Sequence, residues 1–459
     1  MKDIPLINQS ITLREAINQI NEGGFGLAFV VDDKKRLKGV VSDGDIRRAL
    51  LNGISINDRI EKVMNKNPIK FYDYWDRKKI IESIEKLKKE NKIPKLKTLL
   101  IPVISREGKI KKVIGIEPEK KFSFDLIKKR YKKTKKILVI GGAGYIGSVL
   151  TRMLLKRGYF VKVFDNLLYG DIGLRGIRSK NFKFLKGDIT NISNIVEAIK
   201  DIDTVIHLGA IVGDPASKIK PRETLEINYF STKTLGEIAK YLGVRKFIFA
   251  SSCSVYGYKK TICNEETEPN PLSLYAETKL LSEKALLELK DNGFSPIILR
   301  FATAFGYSPR MRFDLVVNLL IAKAIKEKKI TVYGNGKQIR PFIHIKDISR
   351  AIIKILEADD EKVSGQIFNV GSDKMNKSIL EVAKEIKESV PEAEIVFLKE
   401  KEDNRNYNVS FKKIKKILNF DTKYDINYAV REIKEAFDRG EIKNFYDKIY
   451  SNFHSLKEK

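Results

Sequence analysis

A phenol and an ammonium group four residues apart, Tyr275 and Lys279, follow a serine, Ser252, that closes an apolar run. On a helix, residues four apart share a face, so the Lys279 ammonium can stabilise a Tyr275 phenolate and reach beyond it. A free phenol titrates near ~10, and general-base work wants a value closer to ambient pH, a shift that a neighbouring cation supplies. Ser252 would hold a hydroxyl and relay its proton. The spacing alone says little, because Tyr74, Tyr131, Tyr229, Tyr256 and Tyr333 also have lysine four places on. Context selects Tyr275. It begins a helix through Leu280, Leu281 and Ala285, and Ser252 ends the strand Lys246-Phe247-Ile248-Phe249-Ala250.

A second group of residues, nearer the N-terminus, suits phosphate. Ile137-Leu138-Val139-Ile140 reads as a buried strand, Gly141-Gly142-Ala143-Gly144-Tyr145-Ile146-Gly147 as a turn, and Ser148 to Arg157 as a helix with apolar Val149, Leu150, Met153 and Leu154. Glycines belong in such a turn because a side chain would hold the backbone away from a pyrophosphate, whose charge amide N–H groups and the helix dipole meet. A second strand, Phe160 to Phe164, ends in Asp165, about the ~20 residues downstream at which an acidic group bonds an adenosine ribose. Dinucleotide binding follows, with NAD favoured over NADP by the Asp165 charge.

The spacing of Gly141, Gly144 and Gly147 resembles the short-chain dehydrogenase/reductase superfamily, and Ser252, Tyr275 and Lys279 match its extended branch. Further segments carry the likeness. Gly187-Asp188-Ile189 follows a third strand, Phe182 to Leu185, where the family sets a carboxylate against the adenine. Val205-Ile206-His207-Leu208-Gly209-Ala210 looks like its fourth strand and cofactor-side turn. The resemblance thus implies cofactor contacts from Gly141, Gly144, Tyr145, Ile146, Gly147, Asp165, Asn166, Asp188, Ile189, Leu208, Ala210 and Lys279. Asn228 falls where a helix asparagine supports the site, and His207 reads as a strand-end residue. Leu299 to Gly306 resembles the sixth-strand signature of the nucleotide-sugar epimerase/dehydratase family, followed by Ser308-Pro309-Arg310-Met311-Arg312-Phe313-Asp314. In that family the positions of Asn318 and Arg340 touch the substrate diphosphate, Arg405 looks like a second phosphate-contacting arginine, and Asp347 anchors a helix. A planar fork of donors suits phosphate oxygens.

The 4,6-dehydratases of that family carry Asp-Glu directly after the Ser252 position, since eliminating water needs an acid and a base. Cys253 and Ser254 stand there instead, and dehydration is disfavoured. Cys253 reads as buried packing. The implied activity is a UDP-glucose 4-epimerase-like C4 epimerisation of a nucleotide-diphosphate sugar. The alternatives are a 4-keto reductase or dehydrogenase of the same family and a non-catalytic nucleotide sensor, and a homodimer is expected.

The 459 residues exceed the ~150 of one typical domain. The expected organisation is an N-terminal module over residues 1–120, a charged linker over 121–135 including the basic run from Lys128, and an α/β domain over 136–459. That domain is a Rossmann-type doubly wound parallel sheet with a small C-terminal α/β substrate lobe. The net charge of +29 arises from 88 basic and 59 acidic residues. The lysines are interleaved with Glu and Ile throughout, a solvated-surface pattern without a nucleic-acid motif, though a positive surface draws in anionic nucleotide sugars. No run of ~18 uncharged apolar residues and no leader is evident, so neither nucleic acid nor membrane is an expected partner and a cytoplasmic location is. Two cysteines and no ligand spacing argue against a disulfide framework or a metal.

In the first 120 residues, Ala28 to Val41 can be laid on Ile101 to Ile114, and helical stretches, Leu13 to Ile20 and Arg77 to Lys88, precede the two copies. This repeat resembles an α+β pair of CBS domains, with Val63 to Ile69 similar to the opening of a second one. Gly39-Val40-Val41-Ser42-Asp43-Gly44-Asp45 carries the Ser/Thr and Asp that in that family hold the phosphate and ribose of an adenine nucleotide, which assigns Ser42 and Asp45. The second copy runs into Glu117-Pro118 without that pair, so at most one good nucleotide site is expected.

Overall fold

The computed structural model describes residues 5–23, 26–90, 99–116, 136–291, 293–399 and 407–457. The charged run expected as a linker and Arg405 lie outside them. The chain divides into two compact units, Met1–Lys133 and Thr134–Lys459.

In the first unit β1 (Leu6–Asn8) pairs parallel with β2 (Leu27–Val31), which pairs antiparallel with β3 (Leu37–Ser42). β4 (Phe71–Tyr72), β5 (Leu99–Ile104) and β6 (Ile110–Ile116) repeat that order. The register bears out the laid-over repeat: Ala28 faces Val41 as Ile101 faces Ile114, and both hairpins carry an irregularity at the equivalent place, Val30/Val31 and Val103/Ile104. Each half has its own core. Leu13, Ala16 and Ile20 of the helix Leu13–Gly23 lie against Ala28, Val30 and Val41, while Ile80 and Ile84 of the helix Arg77–Lys89 lie against Ile101, Val103 and Ile114.

The second unit is built on a seven-stranded parallel sheet of β7 (Lys136–Ile140), β8 (Phe160–Asp165), β9 (Phe182–Lys186), β10 (Thr204–His207), β11 (Lys246–Ser252), β12 (Ser295–Phe301) and, after three strands of the smaller lobe, β16 (Ile367–Val370). Its order, β16-β12-β11-β10-β7-β8-β9, reverses direction between β7 and β10. A crevice opens beyond the carboxyl ends of the strands at such a switch point. The central strands read as unbroken apolar runs because helices cover both faces, and Ile137, Leu138, Val139, Val205, Ile206, Phe247 and Phe249 are buried.

The smaller lobe holds β13 (Thr303–Phe305), β15 (Ile339–His344) and β17 (Asn376–Ser378) in one sheet, and the parallel pair β14 (Lys329–Tyr333) and β18 (Glu394–Leu398). Helices Val316–Glu327, Ile379–Ser389 and Ile426–Asp438 share a core around Val317, Ile321, Val382, Ile386, Ala429 and Ile433. Asp347 anchors this lobe as the sequence suggests: its Oδ2 accepts the N–H groups of Lys423 and Tyr424, and Arg350 pairs with Oδ1. Among the described residues no helix is long and apolar enough to cross a membrane.

Candidate active site

The glycine loop is shaped by two close approaches. Gly141 has φ +78°, and a Cβ there would lie 2.7 Å from the Gly209 nitrogen in the loop after β10. A Cβ on Gly147 would lie 2.2 Å from the Gly141 carbonyl oxygen. The helix Tyr145–Lys156 therefore begins directly against the loop, and no side chain caps its N-terminus at Gly144. Uncapped N–H groups at the positive end of a twelve-residue helix suit a diphosphate, so this cradle fits a dinucleotide. Asp165, at the end of β8, accepts the N–H groups of Ala143 (3.0 Å) and Leu167 (2.9 Å). Burial raises its carboxyl above the usual range, against those two bonds and the Arg310 charge. Asn166 donates to Asp188 at 3.2 Å, and Thr190 binds the other oxygen of Asp188.

These groups line one cavity of about 1050 Å³ together with Ile146, Ile189, Leu208, Ala210, Ser252, Tyr275, Lys279 and Arg340, more than a drug-sized ligand occupies. The sequence-read positions for cofactor and chemistry are thus brought together. Tyr145 is a partial exception. Its main chain lines the cavity, but its phenol turns into the lobe, donating to the Gly306 carbonyl at 2.6 Å.

Ser252 ends β11 and also caps the short helix Cys253–Tyr256, accepting the Ser254 N–H at 3.1 Å. Ser273 caps the helix Leu274–Glu288, which carries Tyr275 and Lys279 in its first turns. Lys279 is buried, donates to the Ala250 carbonyl at 2.8 Å, and sits 4.7 Å from the Phe249 ring centre and 5.9 Å from that of Tyr275. Burial pulls its ammonium down to about 7, against the opposing charge of Glu283. Burial likewise pushes the Tyr275 phenol up to about 12, although the Arg312 charge and a hydrogen bond with Ser252 lower it. The expected lowering of the phenol by Lys279 is therefore not met: desolvation dominates at both groups. Asn228 supports the frame: its amide brackets Ile211 N and O at 2.8 and 2.9 Å and reaches Thr278 on the Tyr275 helix. His207 is buried beside Thr232 and held down to about 3 by burial and the Lys279 charge. Cys253 is buried, with its thiol against the Arg300 carbonyl and pushed up by desolvation.

Asn318 departs from expectation. It is fully buried, its Oδ1 accepts the Gly306 N–H, and its Nδ2 donates to Tyr145 Oη and to the Arg312 carbonyl. An amide consumed in this way fixes the loop and is not among the cavity-lining groups. Arg340 lines the cavity, its guanidinium 5.5 Å from the Tyr407 ring centre. Ser42 and Asp45 in the first unit satisfy each other: Ser42 Oγ donates to Asp45 at 2.7 Å in a capping box, and Arg48 takes the other oxygen.

Sequence reading assigned no role to four groups on the cavity wall. Arg310, Arg312 and Asp314 come from one loop, with Arg312 forked onto Asp314 at 2.9 and 2.8 Å. Ser254 points a buried hydroxyl without a partner into the same region. The alternation Arg310-x-Arg312-x-Asp314, directly after the sixth-strand signature, is the signal that could have found three of them.

Comparison with known proteins agrees with this geometry. The NAD dependent epimerase/dehydratase family matches residues 137–371, and the CBS domain matches residues 1–52. A UDP-N-acetyl-alpha-D-glucosaminuronate decarboxylase of Bacillus cytotoxicus is 33% identical over 261 residues, covering 55% of this chain and 79% of the relative. A UDP-glucose 4-epimerase of Lactobacillus helveticus is 31% identical over 271 residues, 55% and 81% of the two chains. Among solved structures, a UDP-glucuronic acid 4-epimerase from Bacillus cereus, in complex with UDP-glucuronic acid and NAD, superposes with a TM-score of 0.59 at 29% identity, covering 66% of this chain and 99% of that one.

Proposed function

This chain belongs to the NAD dependent epimerase/dehydratase family, and we propose that it epimerises a nucleotide-diphosphate sugar at C4 through a transient 4-keto sugar. The observation that carries the reading is the wall formed by Ser252, Tyr275 and Lys279, next to which Cys253 and Ser254 occupy the places of a dehydratase's acid and base. NAD, bound on the glycine loop and Asp165, supplies a hydride acceptor that can return what it takes, together with a pyridinium charge.

Ser252 holds the sugar 4-hydroxyl and passes its proton to Tyr275. Ser252 lowers the Tyr275 phenol's titration and lines the same wall, so the relay and the base lie together. Tyr275 must act as a phenolate, and the Arg312 charge already favours that form. A ketone at C4 is planar: once the sugar has turned over, a hydride returned to its other face would set the inverted configuration, with Tyr275 giving the proton back to the oxygen. Arg340 supports the diphosphate end. The second unit thus has the parts for oxidation and re-reduction of one carbon without a separate reductant. In the first unit, residues 1–120 supply an adenine-nucleotide module whose assigned contacts are Ser42 and Asp45.

The test is incubation of the protein with UDP-glucose, UDP-galactose and their N-acetyl and uronic acid counterparts, with no reductant added. At least one C4 epimer should form. Carbon dioxide from a uronic acid would replace the reading with decarboxylation, as the Bacillus cytotoxicus relative's name describes for that protein. Reduction of a 4-keto sugar with stoichiometric loss of NADH would replace it with the reductase.

A further inference from the structure

Among the described residues, Arg310 is a buried cation with no hydrogen-bond acceptor for two of its guanidinium nitrogens. It is 2% exposed, and neither its Nε nor its Nη2 has a hydrogen-bond acceptor. Its neighbours explain why. Arg312, two residues on, takes both oxygens of Asp314, and both oxygens of Asp165 already accept main-chain N–H groups. Only the face of the guanidinium is engaged, 4.7 Å from the Tyr169 ring centre. Burial and the Arg312 charge pull it down to about 10, so it stays charged at neutral pH. An unpaired buried guanidinium is costly, and it lines the cavity.

The loop that carries Arg310 is stapled to the glycine-loop helix. Ser308 Oγ donates to the Tyr145 carbonyl at 2.8 Å, lies 2.9 Å from Ser148 Oγ, and accepts the Arg310 N–H at 3.3 Å. Tyr145 Oη in turn binds the Gly306 carbonyl, and Asn318 clamps both. The base of Arg310 is thereby fixed over the first turn of the helix whose N-terminus forms the diphosphate cradle. Asp165 feels the Arg310 charge, whereas Tyr275 feels that of Arg312. Arg310 therefore serves the dinucleotide end of the cavity, away from the sugar chemistry.

We propose that Arg310 closes over the diphosphate of the bound dinucleotide, its Nε and Nη2 forming a two-pronged contact with phosphate oxygens opposite the helix N-terminus. This inference rests on the family's NAD dependence and names a group for it from the substrate lobe. Two adjacent N–H donors in one plane match two oxygens of one phosphate. The loop that shapes the sugar end is consequently tied to cofactor binding, because the diphosphate would neutralise the buried Arg310 charge.

The test uses the full chain, stripped of nucleotide, as the unaltered protein and as Arg310→Met and Arg310→Lys. Calorimetric titration with NAD and UDP, and displacement of bound NAD by ADP and by adenosine so that nucleotide held by residues 1–120 does not count, are combined with thermal melting of each ligand-free protein. Arg310→Met should weaken NAD and ADP about 10- to 100-fold, the range for a lost charge-assisted contact, while adenosine and UDP binding stay within about threefold. Its ligand-free melting temperature should not fall, since an unpaired charge has been removed, and its NAD-induced rise should shrink. Unchanged NAD affinity, an equal loss for adenosine and ADP, or a loss for UDP alone would overturn the proposal. So would a clear fall in the ligand-free melting temperature with NAD affinity retained. If Arg310→Met does not fold, Arg310→Lys decides: it keeps the charge without the fork, and an ADP affinity within twofold of the unaltered protein overturns the assignment. Failure of the unaltered protein to bind NAD would instead sink the cofactor reading, and that is seen before any substitution.

Discussion

At Tyr275 burial and charge pull in opposite directions, and burial prevails. Catalysis must reverse that balance, so Tyr275→Phe should lower turnover by about 10²–10⁴-fold, the contribution of a positioned base. NAD affinity should be retained because the glycine loop and Asp165 are untouched; steady-state kinetics alongside a binding titration checks both. Asp165 argues for NAD over NADP, since its carboxylate would repel a 2′-phosphate. Asp165→Ala should narrow that preference, and an NADP preference in the unaltered protein would contradict the assignment. His207 gives a pH signature. Its folded value of about 3 lies below the ordinary 6.5, so the unfolded chain takes up the proton first and stability falls as pH drops from about 6.5 toward 3. In His207→Gln that part of the slope is missing, and the loss of melting temperature between pH 6.5 and 4.5 should be smaller than in the unaltered protein. Ser252, Tyr275 and Lys279 were legible because their spacing is local to one strand end and one helix. The bonds of Asn318 were not legible, because its partners Tyr145 and Gly306 lie outside its own helix and no local pattern records that three groups will engage its amide.

The elements were legible where burial leaves a period. The parallel strands appear as apolar runs because both faces are covered, and the residues matched by the internal repeat occupy equivalent places in two hairpins of the same register. Elements defined by tertiary fit left no such trace. The π-helical segment Glu226–Phe230 places Asn228, and the C-terminal helix Asn452–Lys457 buries Leu456 with Ile211 and Ala216 beside the cavity. Neither has a periodic signature of its own. Gly306 directly follows β13 at φ +107°, where a Cβ would lie 2.2 Å from His344 Nε2. Gly306→Ala should cost about 2 kcal/mol or more, from backbone strain and overpacking together. Urea denaturation measures it, and a change within about 0.5 kcal/mol would show that the lobe can yield there.

Over the whole molecule, two units lie on one chain, one matched by the CBS domain over residues 1–52 and one by the NAD dependent epimerase/dehydratase family over residues 137–371. If the first regulates the second, an adenine nucleotide should bind the full chain and shift its kinetics, with a coupling typically worth ~1–3 kcal/mol. Calorimetry with AMP, ADP, ATP and S-adenosylmethionine tests this, with binding at the glycine loop discounted by comparison with a chain lacking residues 1–120. The capping box of Ser42 and Asp45 makes a separate demand: Ser42→Ala should destabilise the first unit by about 1 kcal/mol whether or not a nucleotide binds there. The central claim concerns one carbon of the substrate. Whichever UDP-sugar is turned over should be supplied with deuterium at C4 and no reductant, and the product analysed by mass spectrometry and proton NMR. The account predicts a C4 epimer that keeps its deuterium at C4 and all its carbons, with no net change in the nicotinamide. Loss of the label from C4, or a product one carbon shorter, would contradict it.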